Sequence, residues 1–149
     1  LDFPRRKPVK SDLPKIISKA INIQPIETYK SRDYILVYNS EADIRKLKID
    51  KNYFDQINLD PGGVVVTSVG EIADFVSRYF TPQSSILEDP ATGSSHCSLI
   101  PFWSERLNKK ELLSFQISKR GGEFKCIDNA NRVTIIGKAK TRFKVSVSI

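Results

Sequence analysis

The stretch with the most chemical content is Glu88-Asp89-Pro90-Ala91-Thr92-Gly93-Ser94-Ser95-His96-Cys97. It reads as a loop feeding the N-terminus of a helix, with Asp89 or Thr92 placed to cap. Gly93 lacks a Cβ, so a ligand can approach the backbone closely there. The amides of Gly93, Ser94 and Ser95 fall in the first helical turn, where the backbone offers them no acceptor. They point forward with the positive end of the helix dipole, an arrangement that suits a carboxylate or an oxyanion. The hydroxyls of Thr92, Ser94 and Ser95 can add donors. Asp89 supplies a carboxylate of the kind general acid–base chemistry uses. Spacing alone does not separate this reading from simple helix capping, which draws on the same residue types.

Other reactive side chains point elsewhere. No Ser–His–Asp arrangement is visible, so Ser94 reads as a donor and not a nucleophile. His96 is the single histidine; it is either a proton shuttle or, more usually for a lone helical histidine, a packed side chain. With one histidine, a zinc site would need carboxylates brought from afar, and no metal is expected. Cys97 reads as core packing. Arg78 either binds a substrate carboxylate or pairs with an acid such as Asp74, four positions earlier on the same face of a strand. Gln116, Ser118 and Arg120 alternate along one strand and share a face, lining either a cleft or an interface.

The elements that must position this segment follow from periodicity. Pro4 and Pro8 predict an extended lead-in over residues 1–10. Apolar spacing predicts a helix over about 13–21, with Ser11 or Asp12 as cap and Pro14 in its first turn. Ile26–Tyr29 and Tyr34–Tyr38 read as a hairpin around Ser31-Arg32-Asp33. Ser40 caps a short helix reaching about Leu47, and Asp50–Ile57 allows another helical turn or two. Asp60-Pro61-Gly62-Gly63 is a turn, and Val64–Val69 a buried strand. Ile72–Phe80 reads as a strand and Thr81–Ser85 as loop. The main helix is expected over Thr92–Leu107, with Pro101 awkward inside it because proline removes a helical hydrogen bond. Leu112–Ser118, Phe124–Ile127, Arg132–Ile136 and Lys138–Val147 read as strands. The class is α+β, mostly antiparallel.

Composition sets the outer bounds. The chain has 149 residues, 40% hydrophobic and 28% charged, enough for one compact domain. No apolar run approaches the ~18 residues of a membrane span. No signal peptide is visible, and two cysteines make no disulfide framework. These features point to a reducing, cytoplasmic setting. The chain holds no methionine and begins with Leu1, from which we expect a piece of something longer. The net charge of +7 is concentrated at the C-terminal end, where residues 106–149 carry 11 basic and 3 acidic side chains. There Lys138, Lys140, Arg142 and Lys144 alternate with Ala139, Thr141, Phe143 and Val145, the pattern of a strand with a basic solvated face. Nucleic-acid binding would call for exposed aromatics or a recognisable motif, and neither is present.

Several segments together resemble one family. They are Leu1-Asp2-Phe3-Pro4, Ser77-Arg78-Tyr79-Phe80-Thr81-Pro82, Glu88 to Cys97, Pro101-Phe102-Trp103, Gln116 to Gly122, and Arg132 to Gly137. In order and spacing the chain resembles the C-terminal half of a phenazine-biosynthesis (PhzF-like) isomerase/epimerase, over nearly its whole length. The resemblance implies one lobe, residues 11–149, of a diaminopimelate-epimerase-like fold, in which a sheet wraps a central helix, here Thr92–Leu107. Residues 1–10 would then be the crossing between lobes. It also implies proton transfer at carbon, without a cofactor, on a small carboxylate-bearing metabolite. Asp89 matches the family's acidic residue near the substrate and Ser94 its serine at the helix start. Thr92, Gly93, Ser94 and Ser95 would contact the substrate, with the Gly93 and Ser94 amides holding a carboxylate or a developing enolate.

The family's principal general acid/base, a glutamate, and its Gly-His motif belong to an N-terminal lobe that this sequence does not contain. The chain alone is therefore expected to be inactive, and its expected partners are that missing lobe, as part of a longer protein or as a second chain, or another copy in a homodimer. The alternative is a non-catalytic protein-interaction domain built on the same lobe. Neither nucleic acid nor membrane is expected as a partner.

Overall fold

The computed structural model describes residues 1–59, 62–139 and 141–147. Its elements run β1 (Asp2–Pro4), β2 (Val9–Lys10), α1 (Lys15–Ala20), β3 (Glu27–Lys30), β4 (Tyr34–Val37), α2 (Glu41–Lys46), α3 (Lys51–Phe54), β5 (Val64–Val69), β6 (Phe75–Phe80), β7 (Glu88–Asp89), α4 (Gly93–Leu107), β8 (Glu111–Gln116), β9 (Gly122–Asp128) and β10 (Arg132–Ile136). The class is α+β with a mostly antiparallel sheet; among the described residues only β4/β5 and β6/β8 pair in parallel.

Local chemistry accounts for most of these elements. Ser40 accepts a hydrogen bond from the Asp43 amide at 3.2 Å and starts α2, whose acids lie in the first turn and whose bases lie in the last. Asp50 likewise caps α3 through the Asn52 amide at 3.0 Å. The expected cap of α1 is absent: Ser11 bonds its neighbour Asp12, and the helix starts after Pro14, which already holds a helix-compatible φ of −59°. What fixes α1 is burial of Ile17 and Ala20. The continuous apolar run of β5 is buried on both faces from Val64 to Ser68, as strands between two layers are.

The sheet order is β1-β10-β9-β8-β6-β5-β4-β3-β2, with β7 beside β6. β1 and β2 sit at opposite edges, yet only Arg5–Pro8 separate them. Such a bridge spans at most about 17 Å, so the sheet curls until its edges nearly meet. The extended lead-in is thus built into both edges. α4 lies on the inner face. It is buried from Ser95 to Ser104. Its Cys97, Leu99, Ile100, Phe102 and Trp103 share one core with side chains from Ile35 in β4 through to Ile135 in β10. Trp103 stacks on Phe75 at 5.8 Å, and its indole N–H donates to Thr67 Oγ1 at 2.9 Å. Each large apolar side chain buried this way contributes roughly 1.5–3 kcal/mol. The outer face is covered by α1, α2 and α3, through Ile17, Ile44 and Phe54 packed on Leu36, Val64, Val66 and Phe80.

The lead-in also answers the puzzle of Pro101. Proline has no N–H for the Cys97 carbonyl one turn earlier. The backbone N–H of Arg6 donates to that carbonyl instead, at 2.9 Å. α4 therefore continues through Pro101 to Leu107 and ends at Asn108, which takes the left-handed conformation, φ 51°.

Three expectations are corrected. The strand expected over Ile72–Phe80 begins only at Phe75, because Asp74 is held aside: its carboxylate accepts from the Leu113 amide at 2.7 Å and pairs with Lys109. Glu88–Asp89, read as loop, is a short strand paired with β6. The strand expected over Lys138–Val147 is absent among the described residues of that segment; Phe143 and Val145 are 80% and 72% exposed, so an aromatic does stand exposed among the basic side chains, contrary to expectation. β10 lies between β1 and β9, so neither of its edges is free to receive another strand. Lys140, and Asp60-Pro61 of the expected turn, lie outside the described residues.

Candidate functional site

β6 divides the sheet, and the candidate site lies at the division. Its residues 75–77 pair with β8, whereas Tyr79 and Phe80 pair with Asp89 and Glu88 of β7. The segment after β7 therefore passes over the end of β8 and turns into α4. Gln116, the last residue of β8, fastens it. Its Oε1 accepts from the Thr92 amide at 2.7 Å, and its Nε2 donates to the Asp89 carbonyl at 2.6 Å and to Thr92 Oγ1 at 3.2 Å. Ser118 Oγ donates to the Pro90 carbonyl at 2.7 Å. Gln116, Ser118 and Arg120, expected to alternate along one strand, do not: β8 ends at Gln116, and Ser118 and Arg120 lie beyond it, with Gln116 and Ser118 holding the loop. Arg120 is exposed and lines, with Glu88, Pro90, Ser118 and Lys119, a depression of about 470 Å³.

Asp89 is half-buried. Its carboxylate accepts from the Ala91 amide at 3.3 Å and the Thr92 hydroxyl at 2.7 Å. It has no ion pair among the described residues, so its remaining lone pairs are uncommitted. Neither Asp89 nor Thr92 caps α4 through its side chain, contrary to the capping expectation, because those groups bond each other. The donors expected from Thr92 and Ser95 hydroxyls also turn inward: Thr92 Oγ1 serves Asp89, and Ser95 Oγ donates to the Thr92 carbonyl at 2.9 Å. Gly93 is different. A Cβ placed there would meet nothing within 4 Å, so the space beside the Gly93 Cα is open. Among the described residues no side chain or loop carbonyl accepts from the Gly93, Ser94 or Ser95 amides.

Ser94 meets a group that sequence reading missed. Its Oγ accepts from Arg32 Nη2 at 3.2 Å, across 62 positions of sequence. Arg32 sits at the tip of the β3–β4 hairpin beside Asp33, which is 1% exposed. Asp33 Oδ1 accepts from the Tyr79 hydroxyl at 2.9 Å, the Gly63 amide at 3.0 Å and Arg32 Nε at 3.4 Å. Gly63 has no room for a side chain, since a Cβ would fall 2.5 Å from Tyr79 Oη. Burial, helped by the Asp33 charge, pushes the Tyr79 hydroxyl up to about 12. For Arg32 burial opposes the charge, but the Asp33 charge and the Tyr79 bond outweigh it, and the guanidinium stays above its ordinary value. A charged hairpin tip normally faces water, so nothing local in Ser31-Arg32-Asp33 announces this cluster.

The remaining candidates are structural. His96 is fully buried. Its Nδ1 lies 2.8 Å from the Thr92 carbonyl and its Nε2 3.0 Å from Ser114 Oγ. A carbonyl only accepts, so Nδ1 carries the proton. Burial lowers the imidazole pKa to about 4. Cys97 and Cys126 are buried thiols, and burial raises both; Cys126 reaches about 12. Arg78 pairs with an acid, but with Glu88 at 2.7 and 2.9 Å and not with Asp74, and it donates to the Ile44 and Leu47 carbonyls that close α2. Among the described residues no helix is long and apolar enough to cross a membrane.

A mixed sheet curled on a buried helix, with a carboxylate loop at that helix's start, defines the class. Over residues 5–145 the sequence matches the family described as "Phenazine biosynthesis-like protein", and the chain belongs to that family. A curated relative from Halalkalibacterium halodurans, described as an uncharacterized isomerase, is 39% identical over 145 residues, covering 95% of this chain and 54% of the relative. A Pseudomonas aeruginosa protein of the same description is 41% identical over 140 residues, 93% of this chain and 53% of its own length. A solved PhzF family structure from Enterococcus faecalis superposes with a TM-score of 0.87 at 40% identity, over 94% of this chain and 54% of that one. The chain spans about half the length of the curated relatives it matches.

Proposed function

We propose that this chain supplies one half of the active site of a cofactor-independent isomerase or epimerase that moves a proton on a small carboxylate-bearing metabolite. The fold is read as one diaminopimelate-epimerase-like lobe with α4 as its central helix. The observation that carries the function is the Asp89 carboxylate, held by the Ala91 amide and the Thr92 hydroxyl with no ion pair among the described residues, in a loop that Gln116 fastens at the start of α4. A substrate carboxylate seats on the Gly93, Ser94 and Ser95 amides. Loss of a proton from the adjacent carbon leaves its electron pair in an enolate, and the same amides stabilise the negative charge that develops on oxygen. Asp89 accepts or returns a proton in that exchange, and Gln116 and Thr92 fix its position. Thr92 and Ser95 hydroxyls have supporting roles. The second acid–base group is expected from outside this chain, so the chain alone is inactive.

The test is solvent-deuterium incorporation at the substrate carbon, run on a protein extended to the length of its relatives. Asp89→Asn is expected to abolish exchange while leaving the folded spectrum intact. Exchange at the unaltered rate in that variant would remove Asp89 from the mechanism.

A further inference from the structure

The Arg32 cluster goes beyond that reading, while resting on it. Arg32 is half-buried and connects two regions. Through Nη2 it touches Ser94 at 3.2 Å and Tyr79 Oη at 3.4 Å, and through Nε it meets Asp33. Its Nη1 has no partner among the described residues. Together with Tyr79, Gly62, Thr81 and Pro82, Arg32 lines a depression of about 540 Å³, within the range of small-ligand sites. A guanidinium with bonding capacity left over, anchored from behind by a buried carboxylate, is suited to an anionic group presented from that depression. Ser94 gains from the same contact. Its oxygen accepts from Arg32, so its hydroxyl proton is directed onward, and among the described residues nothing accepts it.

We infer that Arg32 is a substrate-binding residue that makes the site selective for anions: it pairs with the substrate's carboxylate from the depression and turns Ser94 Oγ into a donor to the same group. Asp33 and Tyr79 are its positioning residues. A neutral amide of the same shape lacks the charge Arg32 requires and is excluded.

The experiment is ¹⁵N NMR of the intact chain, following the Gly93 and Ser94 amides and the Arg32 Nε–H during titration with benzoate, and with benzamide as its neutral counterpart. Benzoate is expected to move all three signals with one affinity, and benzamide to move none. Arg32→Gln should weaken benzoate by roughly tenfold to a hundredfold, the effect of losing a charge-assisted hydrogen bond, and Arg32→Lys should keep part of the affinity. If benzoate moves the helix amides while the Arg32 signal stays still, and Arg32→Gln binds equally well, the assignment of Arg32 is overturned and the proposed carboxylate site stands. If benzoate moves none of the three, both fall. Should Arg32→Gln not fold, the Arg32 signal in the unaltered protein and the Arg32→Lys variant decide.

Discussion

Mild acid should destabilise this protein through one side chain. His96 is the only histidine, so no other side chain has an ordinary pKa between about pH 5 and about pH 7. It is fully buried beside Phe124 and Phe75, with ring centroids at 4.4 and 6.0 Å, and among the described residues no acid pairs with it. Protonation at Nε2 reverses its bond with Ser114, whose hydroxyl rotates to accept, so the main cost is placing a charge in an apolar core. The unfolded chain takes up this proton near 6.5, and the folded chain only near 4. Between those values the unfolded state binds more protons, so stability falls as pH drops, and the loss is complete below the folded value. The gap corresponds to roughly 3 kcal/mol in full, of which about 2 kcal/mol is lost between about pH 7 and about pH 5. Urea unfolding across that interval should show the midpoint falling by on the order of 1 M. In His96→Gln, which keeps an amide for Thr92 and Ser114 but does not titrate, the fall should vanish. An imidazole signal titrating near its ordinary value, or an equal pH dependence in the variant, would refute the reasoning.

Two further outcomes follow from the polar interior. Gln116→Leu leaves the buried Thr92 amide without an acceptor and frees the Asp89 carbonyl, so chemical denaturation should show a loss of about 2–4 kcal/mol; deuterium exchange at the Ala91 and Thr92 amides should rise with it. Ser77 Oγ is the one buried side-chain oxygen or nitrogen without a partner among the described residues. Ser77→Ala should therefore hold or raise the melting temperature, by up to about 4 °C for a gain of ~1 kcal/mol in a chain of this size.

The sequence by itself determined what nearest neighbours along the chain can settle. The valine run of β5, the Ser40 cap, the extent of α4 and the Asp89–Ser94 segment at its start are all legible because periodicity, capping and turn chemistry act within a few residues. Which of those groups bond within the chain was not legible. The Thr92 and Ser95 hydroxyls look like donors from their types, yet they bond Asp89 and a helix carbonyl. The alternation after Gly137 looks like a strand, yet none forms among the described residues of that segment, and β10, its neighbour in the chain, already pairs on both sides. The tertiary structure alone brings the Arg6 amide to the carbonyl that Pro101 leaves open, Gln116 to the Asp89 loop, and Arg32 to Ser94. Each of those contacts joins residues 27 to 91 positions apart, or 62 in the case of Arg32. They depend on the sheet curling around α4, and no local pattern encodes where that closure places a side chain.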